Sequence, residues 1–88
     1  MFVIIKEGKE HEGAYSVTNA GGEDVMYIFE EEDDASRYAM LLEQEGFPEM
    51  DVIMVDGDIM IKACEYSSTR YAIITANDIV IPPKHDYI

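Results

Sequence analysis

The sequence has a single cysteine, no tryptophan, three prolines and only six lysine and arginine residues in 88. Because a disulfide needs two cysteines, Cys64 cannot form one within the chain, which fits a reducing compartment. No apolar run approaches the roughly 18–20 residues that a membrane-spanning helix needs. The start, MFVIIKEG, lacks the charged region and long apolar core of a signal peptide and predicts a first strand instead. We therefore expect a soluble, cytoplasmic protein.

Motifs that specify a reaction are missing as well. Cys64 has no obvious base, and no serine stands in the Gly-x-Ser-x-Gly arrangement of an activated nucleophile. No Gly-rich phosphate loop is followed by a lysine. His11 and His85 have no cysteine or second histidine at the spacing of metal ligands, so we expect both to be solvated. The sequence predicts no catalysis, no cofactor and no metal site.

Positive charge is scarce and also unevenly placed. The formal net charge is −13. Residues 1–58 hold 16 of the 19 acids against Lys6, Lys9 and Arg37, whereas residues 59–88 hold three acids and three bases. This field opposes direct binding to nucleic acid or to a membrane and favours a basic partner. Acidity that merely keeps a small protein in solution explains the same composition, and both interpretations stay open.

The clearest helical pattern lies in the stretch FEEEDDASRYAMLLEQEGFP, residues 29–48. Acids occupy the expected first turn, where the helix dipole favours negative charge. Arg37 is placed to pair with Asp33 or Asp34 on the surface. Gly46 and Pro48 then end the helix. The pattern predicts a helix over 31–45 whose buried stripe, at helical spacing, is Ala35, Tyr38, Ala39, Leu41 and Leu42.

The remaining apolar segments predict strands at 2–6, 14–18, 24–30, 51–55 and 69–75, with a short extended piece at 79–81. The segment after Val55 has two interpretations. Asp56 and Gly57 are a hairpin signal. Alternatively, Asp56 caps a short helix that groups four residues on one face: Ile59, Met60, Ala63 and Tyr66 or Ser67.

The central signature, with the weaker matches MFVII, GAYSV, Cys64, Tyr66 and IPP around it, resembles a family of small proteins of unknown function. That family, the domain of unknown function 3110, occurs in cyanobacteria, plastids and cyanophages. The resemblance implies that an aspartate opens a second helix, so we expect a helix over 56–66. The chain departs from the family most at DGDIM, where proline and glutamates are more usual. The family implies no chemistry.

These elements predict one α+β domain over 1–83, followed by a frayed tail at 84–88. We expect a ferredoxin-like, mostly antiparallel sheet with two helices on one face. Several strands are apolar on both sides, so the second face needs cover from the C-terminal segment, a second copy or a partner. A homodimer through that sheet face is therefore one expectation.

The function that these patterns favour is a small, acidic, non-catalytic protein–protein interaction module. The resemblance suggests a regulator of cyanobacterial host metabolism or photosynthesis. The alternatives are an acidic nucleic-acid mimic that inhibits a DNA- or RNA-binding protein, and a weak metal- or small-ligand-binding module. We expect partner contacts from the acids, one arginine and three tyrosines: Glu30, Glu31, Glu32, Asp33, Asp34, Arg37, Tyr15, Tyr66 and Tyr71.

Overall fold

Five strands and two helices make up the part of the chain that the computed structural model describes, residues 1–8 and 13–78. Sequence predictions for residues 9–12, for the extended piece at 79–81 and for the tail at 84–88, including His11 and His85, lie outside the described residues. The elements are, in chain order, β1 (Phe2–Lys6), β2 (Ser16–Thr18), β3 (Asp24–Phe29), α1 (Glu32–Gln44), β4 (Met50–Met54), α2 (Gly57–Tyr66) and β5 (Arg70–Ile74).

The described strands form one sheet that is mostly antiparallel, as the sequence predicts. β1 lies between β3 and β4 and is antiparallel to both, with Phe2 opposite Phe29 on one side and Val3 opposite Ile53 on the other. β2 and β3 form an antiparallel hairpin. β5 pairs with β3 in parallel along the whole of 25–29, so β1 and β2 share the other edge of β3. This parallel edge means that the sheet does not establish a ferredoxin-like topology.

The main core lies between α1 and one face of the sheet. The helical stripe predicted from the sequence is buried at Ala35, Tyr38, Ala39 and Leu42, and Leu41 is half-buried. The sheet meets this stripe with alternate side chains from its strands, as strand geometry requires. The sheet residues that belong to this core are Ile4, Phe29, Met50 and Ile74, with Phe2, Tyr27, Val52 and Ala72 packed beside them.

The opposite face of the sheet carries α2, so the prediction that both helices cover one face is wrong. Val3, Ile5 and Ile28 are buried but lie outside the α1 core. Met26, on the same side of β3 as Ile28, contacts Cys64 of α2 with 3.8 Å between the two sulfurs. The chain crosses the sheet from β3 to β4 through α1 and returns from β4 to β5 through α2. Right-handed crossovers in opposite directions place their helices on opposite faces.

Residues 57–66 form a helix and not a hairpin strand, as the family resemblance implies. Asp56 caps it, because its Oδ1 accepts a hydrogen bond from the Ile59 N–H at 3.1 Å. The grouping of residues on its faces differs from the prediction. Cys64 is buried and Met60 is half-buried, whereas Ala63 and its neighbours at helical spacing face solvent. No helix in the described ranges is long and apolar enough to cross a membrane.

Candidate partner-binding surfaces

Five consecutive acids surround the start of α1, and we call them the helix-start carboxylates: Glu30, Glu31, Glu32, Asp33 and Asp34. The Glu30 N–H is tied to β5 through the Ile74 carbonyl at 2.9 Å, which fixes the chain where β3 passes into the helix. Glu31 is the N-cap residue but makes no side-chain cap. The first four acids are exposed, and the helix dipole stabilises negative charge at this end.

Arg37 is paired within the same turn. Its Nη2 donates to Asp34 Oδ1, one of the two ion pairs that the sequence allowed. Asp34 is the least exposed of the helix-start carboxylates, and its second oxygen, Oδ2, is buried with no hydrogen-bond partner among residues 1–8 and 13–78. Arg37 therefore offsets one of the five charges locally, and the other four carboxylates face solvent. An exposed pair of this kind contributes at most about 1 kcal/mol to stability.

A second acidic group lies at the other end of α1, and the sequence did not reveal it. We call its members the helix-end carboxylates: Glu7, Glu43, Glu49 and Asp51. They are distant along the chain, but the pairing of β1 with β4 brings Ile5 opposite Asp51, and the Glu7 N–H donates to the Glu49 carbonyl at 3.0 Å. Glu43, in the last turn of α1, accepts a hydrogen bond from the Met50 N–H at 3.3 Å.

The other three carboxylates affect the proton affinity of Glu7. The pKa of Glu7 is raised, first by a hydrogen bond to Glu49, then by the negative charges of Glu49 and Asp51, and least by Glu43. Glu43 lies in the last turn of α1, which contains no base, so the negative end of the helix dipole is at this member of the group. The fold therefore holds like charges together at the helix end, where the dipole opposes them.

The three tyrosines expected to contact a partner lie in different surroundings. Tyr15 is half-buried and packs in the main core, with its ring 6.2 Å from Phe47 in an edge-to-face contact. Burial raises its pKa. Tyr71 is half-buried on β5, opposite Met26 of β3. Tyr66 is 95% exposed on α2. Tyr66 therefore has the most contact area to offer, and Tyr15 packs on the opposite face of the sheet from α2.

Tyr38 is the most deeply buried of the described tyrosines, with 1% of its surface exposed. Burial, and next the neighbouring Tyr15, raise its pKa, so the phenol stays neutral. The two rings are 6.0 Å apart between centroids, but no described residue lies in hydrogen-bond geometry with the Tyr38 hydroxyl. Its contribution is mainly aromatic packing, which includes a contact with Tyr27 at 5.7 Å.

Cys64 has the environment of a packing residue and not of a nucleophile. Only 2% of its surface is exposed, and burial raises the pKa of the thiol, which suppresses the reactive thiolate. Its thiol makes a weak hydrogen bond to Met26 Sδ at 3.8 Å. Among residues 1–8 and 13–78, no three His, Cys, Asp or Glu side chains are arranged to hold a metal ion.

An open polar cleft of about 340 Å³ lies where the β2–β3 hairpin approaches the end of α2. Arg70 Nε donates to Glu23 Oε2 across it at 2.6 Å, so the guanidinium is already engaged by an acid of the cleft. The cleft is shallow and solvated. Its lining residues are Ser16, Glu23, Asp24, Ser68, Thr69 and Arg70.

Comparison with known proteins gives one match. A family model described as a domain of unknown function, DUF3110, matches residues 1–84. No curated protein and no solved structure matches the chain significantly. The match covers every described element, from β1 to β5, and carries no activity with it.

Proposed function

Because this chain belongs to the DUF3110 family, whose description assigns no activity, we propose from its geometry that it is an acidic, non-catalytic interaction module that binds a basic protein partner. The partner's lysine or arginine side chains pair with the helix-end carboxylates. The same contact suits a small regulator of another protein's activity, in line with the regulatory role that the resemblance suggests.

The observation that carries this proposal is the gathering of four carboxylates at the end of α1 by the β1–β4 pairing, which raises the pKa of Glu7. Like charges held together by the fold repel one another. A partner's guanidinium or ammonium group removes the repulsion and adds charge-assisted hydrogen bonds to the exposed oxygens. Binding therefore gains free energy from the helix-end carboxylates that solvent alone does not supply.

The helix-start carboxylates have a different role in this proposal. The dipole of α1 already stabilises them, and Arg37 pairs with Asp34. A helix of 13 residues is about 20 Å long, which exceeds the Debye length of about 8 Å at physiological ionic strength. The two ends of α1 consequently act as separate charged sites. The helix-start carboxylates contribute to attraction at long range, and the helix-end carboxylates make the contact.

A binding assay with two charge-matched variants tests this proposal. The probe is a ten-residue peptide of lysine and glycine that carries one tryptophan. Its fluorescence can be excited selectively because the protein has no tryptophan. One variant neutralises the helix end (E7Q, E43Q, E49Q and D51N). The other neutralises four residues at the helix start (E30Q, E31Q, E32Q and D33N), so that both lose the same charge.

We expect the affinity for the peptide to fall steeply between about 20 and about 200 mM sodium chloride, as for any contact made by exposed charges. The helix-end variant should lose at least about tenfold in affinity, which corresponds to about 1.4 kcal/mol, and the helix-start variant distinctly less. Equal losses would show that net charge and not the cluster attracts the peptide. If the affinity does not change with the sodium chloride concentration, or if the peptide does not bind at all, the proposal of a basic partner is rejected.

A further inference from the structure

The outer side of α2 presents an apolar stripe to solvent. Ile59 is 67% exposed and Tyr66 is 95% exposed, and Ala63 between them is exposed as well. Their spacing of four and three residues places them on one side of the helix. The other side of α2 packs against the sheet through Cys64 and, in part, Met60. This stripe is the longest exposed series of apolar residues at helical spacing on either helix of the described chain.

The charge around the stripe selects among its possible occupants. Within α2, Asp58 and Glu65 are exposed beside the stripe, with Lys62 as the one base of the helix, and Asp56 caps its start. A second copy of this chain would bring its own charge of −13 against an equal charge, which opposes self-association. A segment that is apolar on one side and basic on the other matches both the stripe and the excess of acid over base in α2 and its cap.

We propose that the stripe of Ile59, Ala63 and Tyr66 is the docking site for a basic amphipathic helix of a partner protein. The apolar side of that helix covers the stripe, and its lysines or arginines pair with Asp58 and Glu65. This inference rests on the proposed function and adds the apolar contact to it. Tyrosine is enriched among the residues that dominate binding energy, because it buries a large rigid area and keeps a polar tip.

The arrangement assigns different tasks to the helix-end carboxylates and to the α2 stripe. Charges paired at the helix-end carboxylates give selectivity for basic partners. The α2 stripe supplies area that leaves water, which slows dissociation. A basic segment with no apolar side would then bind only through charge, weakly and with a short lifetime.

Two synthetic peptides test the docking site. The first is a helix of leucine and lysine with its leucines on one side and one tryptophan as the fluorophore. The second keeps every lysine and the tryptophan but replaces the leucines with glutamine. The wild-type protein should bind the first peptide at least about tenfold more tightly than the second, a difference of about 1.4 kcal/mol.

The double variant I59S/Y66S should abolish that preference and leave binding of the second peptide unchanged. The matched control is M40S, since Met40 is also apolar and 60% exposed but lies on α1. It should keep the full preference. Circular dichroism spectra and melting temperatures should agree among wild type, I59S/Y66S and M40S, because all three substituted side chains are exposed.

The possible results separate the two proposals. If I59S/Y66S keeps the preference for the leucine peptide, or if M40S loses it, the α2 docking site is rejected while a basic partner remains supported. If neither peptide binds, the proposed function fails together with the docking site. If the protein alone sediments as a dimer that Y66S dissociates, the occupant of the stripe is a second copy, and the inference is overturned.

Discussion

The two helices lie on opposite faces of one sheet and are packed to very different degrees. α1 buries four residues against aromatic side chains of the sheet, whereas α2 buries only Cys64 of its ten residues. Both have an apolar pattern at helical spacing. On α1 the predicted stripe is the buried one, but on α2 most of the predicted grouping faces solvent.

The difference shows that an apolar stripe on a helix does not by itself decide whether the fold buries that side of the helix. α1 crosses over β1 and packs on side chains of all four long strands. α2 returns across the sheet and meets it through a narrow strip centred on Cys64 and Met26. The exposed side of α2 is therefore available for function, while α1 mainly holds the fold together and orients charge at its two ends.

The largest expected effect in this comparison is on stability. Leu42→Ala removes a fully buried side chain of α1 and should lower the free energy of unfolding by about 2–5 kcal/mol. Ile59→Ala on α2 should change it by less than about 0.5 kcal/mol, because the side chain is mostly in solvent. Urea denaturation measures both. A large loss in Ile59→Ala would mean that the stripe is packed within the monomer.

The next largest effect on stability is expected at the C-terminal ends of the helices. Each helix is followed by a residue in the left-handed conformation, but only after α1 is that residue a glycine. Gly46 has φ 93° after α1, and Ser68 has φ 57° after α2. Gly46→Ala should cost about 1–2 kcal/mol, because a side chain is disfavoured in this conformation. Ser68→Gly should instead raise stability by about 0.5–1 kcal/mol. Chemical denaturation of the pair checks the opposite signs, and a destabilised Ser68→Gly variant would contradict the interpretation.

The helix N-termini provide a smaller contrast. Asp56→Ala removes the side-chain cap of α2 and should cost about 1 kcal/mol. Glu31→Ala at the start of α1 should cost less than about 0.5 kcal/mol, because Glu31 makes no cap and acids remain in the first turn. Thermal unfolding compares them. Equal losses would show that charge at the helix start matters as much as the cap.

The smallest effect is a pH dependence from the helix-end carboxylates. The pKa of Glu7 is raised in the folded state, so the folded protein binds this proton more tightly than the unfolded chain. The free energy of unfolding should therefore rise as the pH falls from neutral through the raised pKa, and the gain is complete below the ordinary value.

Melting temperatures measured from pH 7 down to about pH 5 track this dependence. Glu49→Gln removes the largest cause of the shift and should flatten the curve, whereas Glu31→Gln, at the other end of α1, should leave the slope unchanged. If the two variants flatten the curve equally, the dependence belongs to the net charge of the whole molecule.

Local elements were predictable because their signals are local. The strand bounds of β1 agree with the prediction, and the acids and Gly46 bracket α1. The helix-start carboxylates were visible as a run. The helix-end carboxylates were not, because the four come from three elements and their loops, and only the β1–β4 register brings them together.

The sequence alone determined the identity and approximate extent of the described elements other than α2, the buried stripe of α1 and the excess of acid in the first two-thirds of the chain. These depend on residue spacing, turn chemistry and composition, which act over a few residues. The tertiary structure alone decided that the helices lie on opposite faces, that Tyr15 packs inward while Tyr66 faces solvent, and that acids meet at the end of α1. Those outcomes depend on the direction of each crossover and on strand register, which join residues far apart in the chain.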